Sequence, residues 1–236
     1  MRLDEAKRDH YRKRAKEEGY RSRAAFKLLQ MNQKYHVIKP GDRVIDIGSA
    51  PGGWLEVASN EVGERGVVIG VDLVRVKPVG KNVKIIMADI TSPDFPDRLH
   101  FELGKGNADS VIADLSPKVS GIWDMDQFRQ IELCHKVVDL LPLILVRNGA
   151  SVMKAFQGAE LNSLIKRLKK SFTRVEVSKP NASRSESSEV YLVSMEFNGT
   201  VEPRQSEAPE KERPSEPPSD SAGFEWQSDR LTPTPS

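Results

Sequence analysis

The sequence contains a single cysteine, Cys134, and only four histidines. One thiol cannot form an intramolecular disulfide, which favours a reducing compartment. These residues form no cluster with the spacing of zinc ligands, so we expect no metal. The longest apolar run, Val137–Val146, is broken by Asp139 and Pro142 and is too short to span a membrane. The charged N-terminus carries no apolar signal region, so we expect a cytoplasmic protein with no membrane partner.

The chain also lacks a strong overall charge, because its 36 Lys and Arg nearly balance its 34 Asp and Glu. The charge is unevenly distributed, however. Residues 1–39 hold 12 basic and 5 acidic side chains, whereas residues 200–236 hold 4 basic and 8 acidic ones. A basic segment ahead of a neutral body indicates either a polyanionic partner or a solvated charged helix, and charge alone leaves both open.

Composition divides the chain into three parts. The segment 200–236 holds seven of the 15 prolines, mixed with Glu, Ser and Thr. It has too little apolar area to offset the entropy lost on ordering. We therefore predict a basic N-terminal arm over 1–21, a folded domain over 22–199 and a disordered tail over 200–236.

Within the predicted domain, short apolar segments alternate with amphipathic ones. This alternation predicts an α/β fold, with a mainly parallel seven-stranded sheet covered by helices on both faces. The predicted helices are one capped by Ser22 that continues through Leu29, followed by Trp54–Asn60, Met125–Leu141 and Glu160–Ser171. The predicted strands are Arg43–Asp46, Val67–Val71, Val83–Met87, Ser110–Ala113, Ala150–Met153, Val175–Val177 and Val190–Met195.

Ionisable residues follow or end four of these strands, namely Asp46, Asp72, Asp114 and Lys154. Open α/β sheets bind ligands beyond the carboxyl ends of their strands. A single acid there can merely cap the next helix, but four such residues predict one shared site.

The segment 46–54, with the sequence DIGSAPGGW, predicts a cofactor loop. Its glycines, including Gly48 and Gly52, let the backbone approach a nucleotide-type ligand closely. No Lys-Ser or Lys-Thr pair follows them, which excludes a P-loop. Ala50 replaces the second glycine of a dinucleotide fingerprint and Pro51 lacks an N–H for a pyrophosphate, which disfavours a nicotinamide-dependent oxidoreductase. The carboxylate of Asp46 suits the ammonium group of S-adenosylmethionine, which carries no phosphate.

Two further acids fit this cofactor. Asp72 lies 20 residues after Gly52, where an acidic residue accepts hydrogen bonds from ribose hydroxyls. Asp89 follows the third strand and is placed to accept a hydrogen bond from an adenine amino group.

Five segments, in order, resemble the RrmJ/FtsJ family of ribosomal RNA large-subunit ribose 2′-O-methyltransferases. Together they cover about residues 10–197, and the Pro-rich tail has no counterpart in the family pattern. The segments are SRAAFKL from Ser22, DIGSAPGGW from Asp46, DLSP from Asp114, VMKAFQG from Val152 and SEVY from Ser188.

The resemblance implies a Rossmann-like S-adenosylmethionine-dependent methyltransferase fold and 2′-O-methylation of a ribose, expected to be a uridine, in 23S-type ribosomal RNA. It implies a monomer that acts within the large ribosomal subunit. Ribose methylation in transfer RNA anticodon loops is the alternative within the family, and a non-catalytic RNA-binding module is the alternative outside it. The implied catalytic residues are Lys27, Asp114, Lys154 and Glu189, and the implied cofactor-binding residues are Asp46, Gly48, Gly52, Trp54, Asp72, Asp89 and Asp114.

Lys154 is the implied base for the ribose hydroxyl. A second cation such as Lys27 favours a neutral amine, whereas Asp114 and Glu189 favour an ammonium. The sequence leaves open whether Lys154 removes the proton or, as a cation, stabilises the developing alkoxide.

Overall fold

A computed structural model describes residues 3–104, 106–184 and 186–203, with side chains from residue 10 onward. Most of the predicted tail, residues 204–236, lies outside the described residues. No helix of the described part is long and apolar enough to cross a membrane.

The described residues contain a seven-stranded sheet with the order β3-β2-β1-β4-β5-β7-β6. The first five of these strands are parallel, and β7 is antiparallel to both of its neighbours. The predicted mainly parallel sheet is therefore confirmed. The strands are β1 Arg43–Ile47, β2 Val67–Asp72, β3 Val83–Met87, β4 Ala108–Ala113, β5 Leu145–Phe156, β6 Phe172–Ser178 and β7 Glu189–Phe197.

Helices cover both faces of the sheet, as predicted. The apolar residues of α2 and α3 pack in one core cluster, and those of α4, α5 and α6 pack in another. Strand β1 lies between β2 and β4, so the strand order reverses its direction across the sheet at β1. The carboxyl ends of β1 and β4 therefore flank the topological switch point, where open α/β sheets bind ligands. The helices are α1 Leu3–Glu17, α2 Ala25–Tyr35, α3 Gly53–Val62, α4 Phe95–Leu103, α5 Trp123–Ile144 and α6 Leu161–Ser171.

Three local predictions were wrong. Ser22 does not cap α2, which begins at Ala25 without a side-chain cap. Helix α4 was missed because its first turn contains Pro96 within a turn-like sequence, although proline is well tolerated there. Strand β5 continues to Phe156, so Lys154 lies inside the strand rather than at its end.

The first helix is anchored rather than a fully exposed arm. Ala15 is buried, and Tyr11 and Tyr20 pack against Phe26 of α2 with ring centroids 5.5 and 5.6 Å from it. Gln30 Nε2 donates a 3.0 Å hydrogen bond to the hydroxyl of Tyr11. The predicted boundary at residue 21 therefore separates residues that pack against each other, because the first helix is part of the folded domain.

The C-terminal boundary also differs from the prediction. The backbone oxygen of Glu202 accepts hydrogen bonds from Arg167 of α6, and its carboxylate pairs with Lys170. The packed domain thus extends a few residues beyond 199.

Candidate active site

Helix α2 and strand β7 together hold the first half of a polar cluster. Lys27 is only 5% exposed, and its Nζ lies 2.9 Å from both Glu189 Oε2 and the hydroxyl of Tyr191. Glu189 and Tyr191 lie two apart on β7, so both side chains stand on the same face of the sheet. The buried Lys27 thus has two hydrogen-bond partners, the carboxylate of Glu189 and the hydroxyl of Tyr191.

Strands β4 and β5 supply the second half of the cluster. Lys154, also 5% exposed, has its Nζ 3.2 Å from Asp114 Oδ1 and 2.7 Å from Ser116 Oγ. The hydroxyl of Tyr191 donates to the same Asp114 Oδ1 at 3.2 Å. Tyr191 therefore links the two halves into one hydrogen-bonded chain that contains Lys27, Asp114, Lys154 and Glu189. The structure brings all four predicted catalytic residues together.

Two side chains of helix α5 hold the backbone of Lys154. The carbonyl oxygen of Lys154 accepts a 2.8 Å hydrogen bond from Gln130 Nε2 and a 3.1 Å hydrogen bond from the thiol of Cys134. Burial raises the pKa of Cys134 to about 12, so the thiol stays protonated and serves as a donor at neutral pH. The position of Lys154 is thus set from both ends.

The charges in the cluster perturb their neighbours in opposite directions. Burial raises the pKa of Glu189, but the charge and hydrogen bond of Lys27 outweigh it, so the net pKa is lowered. Burial, together with the charges of Asp114 and Glu189, raises the pKa of Tyr191 well above its usual value. Glu189 is therefore an anion, and Tyr191 a neutral hydroxyl that donates to Asp114.

The glycine loop lies between β1 and α3. Gly48 has φ +79°, and a Cβ there would lie 2.9 to 3.0 Å from Leu115. Gly52 has φ +114°, a backbone conformation that side-chain-bearing residues rarely adopt. Asp72 holds the loop, because its Oδ2 accepts a 2.8 Å hydrogen bond from the N–H of Ala50.

The structure gives two predicted cofactor residues more specific surroundings. Trp54 is 3% exposed, and its indole donates to the carbonyl of Ala24 and packs on Tyr191. Its backbone N–H lies in the first turn of α3, where N–H groups have no partner within the helix. Asp89 is exposed and its Oδ1 accepts two hydrogen bonds from Thr91, which leaves Oδ2 for another donor.

Asp46 is fully buried on β1, and neither of its carboxylate oxygens has a hydrogen-bond partner. The buried Oγ of Ser49, in the loop, is also unpaired. Burial raises the pKa of Asp46 well above its usual value, and the nearby charges of Asp114 and Asp72 raise it further. Unpaired polar atoms beneath a glycine loop fit a site completed by a ligand.

A family model of the FtsJ-like methyltransferases matches residues 20–197, which include every element from α2 to β7. The chain belongs to the FtsJ-like methyltransferase family. Its fold and its gathered lysine-carboxylate cluster agree with that membership.

Relatives of known name are similar over most of the chain. A ribosomal RNA large subunit methyltransferase E from Methanothermobacter thermautotrophicus is 49% identical over 196 residues, which are 83% of this chain and 92% of the relative. The protein of the same name from Coxiella burnetii is 42% identical over 201 residues, which are 84% of this chain and 94% of the relative.

Two solved structures resemble this FtsJ-like protein. A ribosomal RNA methyltransferase from Plasmodium falciparum superposes with a TM-score of 0.69 at 28% identity, covering 77% of this chain and all of that one. Fibrillarin from Aeropyrum pernix, solved with S-adenosylmethionine bound, superposes with a TM-score of 0.51 at 19% identity over 75% of each chain. The second likeness concerns the fold alone.

Four residues of the FtsJ-like site were not predicted from the sequence: Ser116, Gln130, Cys134 and Tyr191. Tyr191 had a usable signal, because it follows Glu189 by two in a predicted strand and so shares its face. Gln130 and Cys134 lie one helical turn apart on α5, but nothing local to them indicates the carbonyl of Lys154. In the described part of the chain, no group of three or more His, Cys, Asp or Glu is placed to hold a metal ion.

Asp46→Asn should change how stability depends on pH. In the folded protein Asp46 keeps its proton at pH values where the unfolded chain, with an Asp pKa of ~3.9, has lost it. The unfolded state then binds fewer protons, so rising pH lowers the stability of the wild type. Asparagine does not titrate. The difference in melting temperature, variant minus wild type, should therefore increase from pH 4 to pH 7. A difference that does not change with pH would contradict a raised pKa of Asp46.

Proposed function

We propose that this protein transfers a methyl group from S-adenosylmethionine to a ribose 2′-hydroxyl of large-subunit ribosomal RNA, with a uridine as the nucleotide. The observation that carries the proposal is the single hydrogen-bonded chain from Glu189 through Lys27, Tyr191 and Asp114 to Lys154. Methylation of a weakly acidic hydroxyl is helped by a nitrogen held close to the hydroxyl oxygen. These hydrogen bonds hold such a nitrogen, Lys154 Nζ, in one position.

The residues around the glycine loop fit S-adenosylmethionine, which supplies the methyl group when bound. Gly48 and Gly52 let the backbone approach it, and the N–H of Trp54 lies in the first turn of α3, where N–H groups have no partner within the helix. Asp46, which keeps its proton when no cation is bound beside it, and Asp114 are assigned to the cationic end of S-adenosylmethionine. Asp72 and Asp89 are assigned to the ribose hydroxyls and the adenine amino group. We propose that no metal takes part.

Lys154 acts on the acceptor oxygen. As a neutral amine it would take the hydroxyl proton while the oxygen bonds to the methyl carbon and the methyl–sulfur bond breaks. As an ammonium it would stabilise the negative charge that develops on the oxygen, and the hydroxyl proton would pass to water. Both roles require Nζ at the same place, which Asp114, Ser116 and the backbone contacts from Gln130 and Cys134 fix. Much of the acceleration comes from holding this oxygen in line with the methyl group.

The names of the relatives support ribosomal RNA as the substrate. Two are called ribosomal RNA large subunit methyltransferase E, and the similarity covers more than nine tenths of each. We propose that the protein acts as a monomer on the large subunit in the cytoplasm.

The test is a map of 2′-O-methyl groups in ribosomal and transfer RNA from cells with and without the gene. We expect one ribose in large-subunit RNA to lose its methyl group and to regain it when the gene is restored. Loss confined to transfer RNA anticodon loops would replace the proposed substrate with the alternative one. No change in either RNA would overturn the proposal.

The exposed basic residues of α1 should contribute to RNA binding. Arg12, Lys13 and Lys16 all face solvent, so replacing them with glutamine leaves the contacts with Phe26 intact. Each lost contact to a single-strand phosphate should lower the slope of log affinity against log salt by ~0.7. We expect a higher KM for RNA, a flatter salt dependence and an unchanged kcat at saturation.

A matched control neutralises the exposed Lys136 of α5 and the exposed Lys166 and Lys169 of α6. Equal effects in the two triple variants would mean that only overall charge matters. An unchanged salt slope in the α1 variant would remove this helix from the RNA-binding surface.

A further inference from the structure

An aromatic pair lies beside the catalytic cluster. Phe156 follows Lys154 by two on β5, so both side chains stand on the same face of the sheet. Its direct partner across the antiparallel ladder is Glu189, and side chains opposite each other on such strands are in contact range. Phe156 is thus the immediate neighbour of a residue that pairs with Lys27.

Trp123, the first residue of α5, covers Phe156. The two rings are nearly parallel, at 26°, with centroids 5.8 Å apart. Trp123 is nevertheless 48% exposed. One side of the indole is therefore backed by an aromatic ring on the catalytic face, whereas the rest of the ring is open to solvent.

The loop that leads to Trp123 is held in place. Asp126 is 4% exposed, and its Oδ1 accepts hydrogen bonds from the N–H and the hydroxyl of Ser120, both at 2.7 Å. Its Oδ2 accepts from the N–H of Gly121 at 3.0 Å. The hydrogen bonds to Ser120 and Gly121 also lower the pKa of Asp126, which stays ionised. The indole is thus presented on a fixed support.

The surroundings of the indole combine apolar and basic groups. Val119 and Ile122 of the same loop are 67% and 59% exposed, an unusual amount of apolar surface at one place. Lys118 and Arg129 are exposed beside them, with Arg129 Nη1 3.5 Å from the carbonyl of Lys118. An exposed ring flanked by cations is the combination that binds unpaired nucleotides, through stacking and phosphate contacts.

We propose that Trp123 stacks on the base of the nucleotide whose ribose is methylated. This inference rests on the proposed function. A ribose with its 2′-oxygen at Lys154 carries its base on C1′, the carbon next to C2′, so the base must lie beside the cluster. Phe156, paired with Glu189 across the ladder, and the Trp123 ring stacked on it offer an aromatic surface beside the cluster. The stack therefore orients the target nucleotide and favours an unpaired one.

The test uses an RNA fragment that contains the mapped target, in an intact form and in a form that lacks only the target base. Removing the base leaves the ribose and its hydroxyl in place. With the intact fragment, Trp123→Ala should lower kcat/KM at least ~10-fold, which corresponds to ~1.4 kcal/mol. Trp123→Phe should keep most of the activity, since it retains a ring.

Base removal should lower kcat/KM of the wild type by a similar factor and have little further effect on Trp123→Ala. The matched control is Phe101→Ala, which removes an 84% exposed ring on α4 and should change nothing. If the losses caused by Trp123→Ala and by base removal multiply, the two changes act independently and the inference is overturned.

Two other outcomes distinguish base stacking by Trp123 from a contact with a ribosomal protein and from the proposed function itself. A defect seen with ribosomal particles but not with naked RNA would assign Trp123 to a protein contact and overturn the stacking role. Failure of the wild type to methylate both the intact fragment and large ribosomal subunits that lack the modification would count against the proposed function itself, whereas full activity of Trp123→Ala on the substrate that the wild type methylates would count against the stack alone.

Discussion

Lys154→Ala should lower the kcat of RNA methylation at least ~100-fold, because a positioned proton acceptor or donor contributes ~10²–10⁴-fold. Affinity for S-adenosylmethionine, measured by calorimetry, should stay near the wild-type value, since Lys154 is proposed to act on the acceptor hydroxyl and not on the cofactor. The control is Lys136→Ala, which removes an exposed lysine from α5. Retention of more than about a tenth of the wild-type rate would show that Lys154 is not the group at the oxygen.

The other residues of the cluster should behave as one unit with Lys154. Lys27→Ala and Glu189→Ala should each reduce the rate, because each breaks the chain that leads through Tyr191 to Asp114. Combined with Lys154→Ala, neither should reduce it much further. Fully multiplicative losses would mean that the residues act independently.

Asp114→Ala should cause the second large effect, a loss of both activity and stability. It removes the carboxylate that pairs with the buried Nζ of Lys154, and breaking such a pair costs ~3 kcal/mol or more. For a domain of this size, that corresponds to a fall in melting temperature of about 6–12 °C. The control Asp124→Ala, at an exposed acid of α5, should change the melting temperature by little.

A double variant separates the lost charge pair from lost packing. Asp114→Ala combined with Lys154→Met removes both charges and should recover much of the melting temperature while remaining inactive. If the double variant is no more stable than Asp114→Ala, the unpaired lysine is not the cause of the destabilisation.

The sheet and the residues at its strand ends could be predicted from the sequence because both depend on local patterns. The apolar strand that ends before Asp114 and the glycine loop after Asp46 can be recognised without knowing what packs on them. The resemblance then supplied the role of Lys27, which lies on a helix 162 residues away from its partner Glu189. No local pattern indicates a contact of that separation.

The contacts that the sequence did not predict come from packing between distant elements. Trp54 was assigned to the cofactor, but its indole is turned towards Tyr191 and braces α2 through Ala24. Tyr11, in the basic N-terminal segment, packs its ring on Phe26, a tertiary contact that the charge pattern does not indicate. Both rings are thus used by the core, because burying a large ring contributes more than leaving it exposed.

The most direct test of the account is the chemical identity of the product. The purified protein is incubated with S-adenosylmethionine labelled in its methyl group and with large ribosomal subunits that lack the modification, and the nucleosides from their digested RNA are separated by mass spectrometry. We predict that the label appears in a single 2′-O-methylnucleoside, a uridine, and that the Lys154→Ala protein produces none. Label on a base, or equal labelling by the Lys154→Ala protein, would contradict the account.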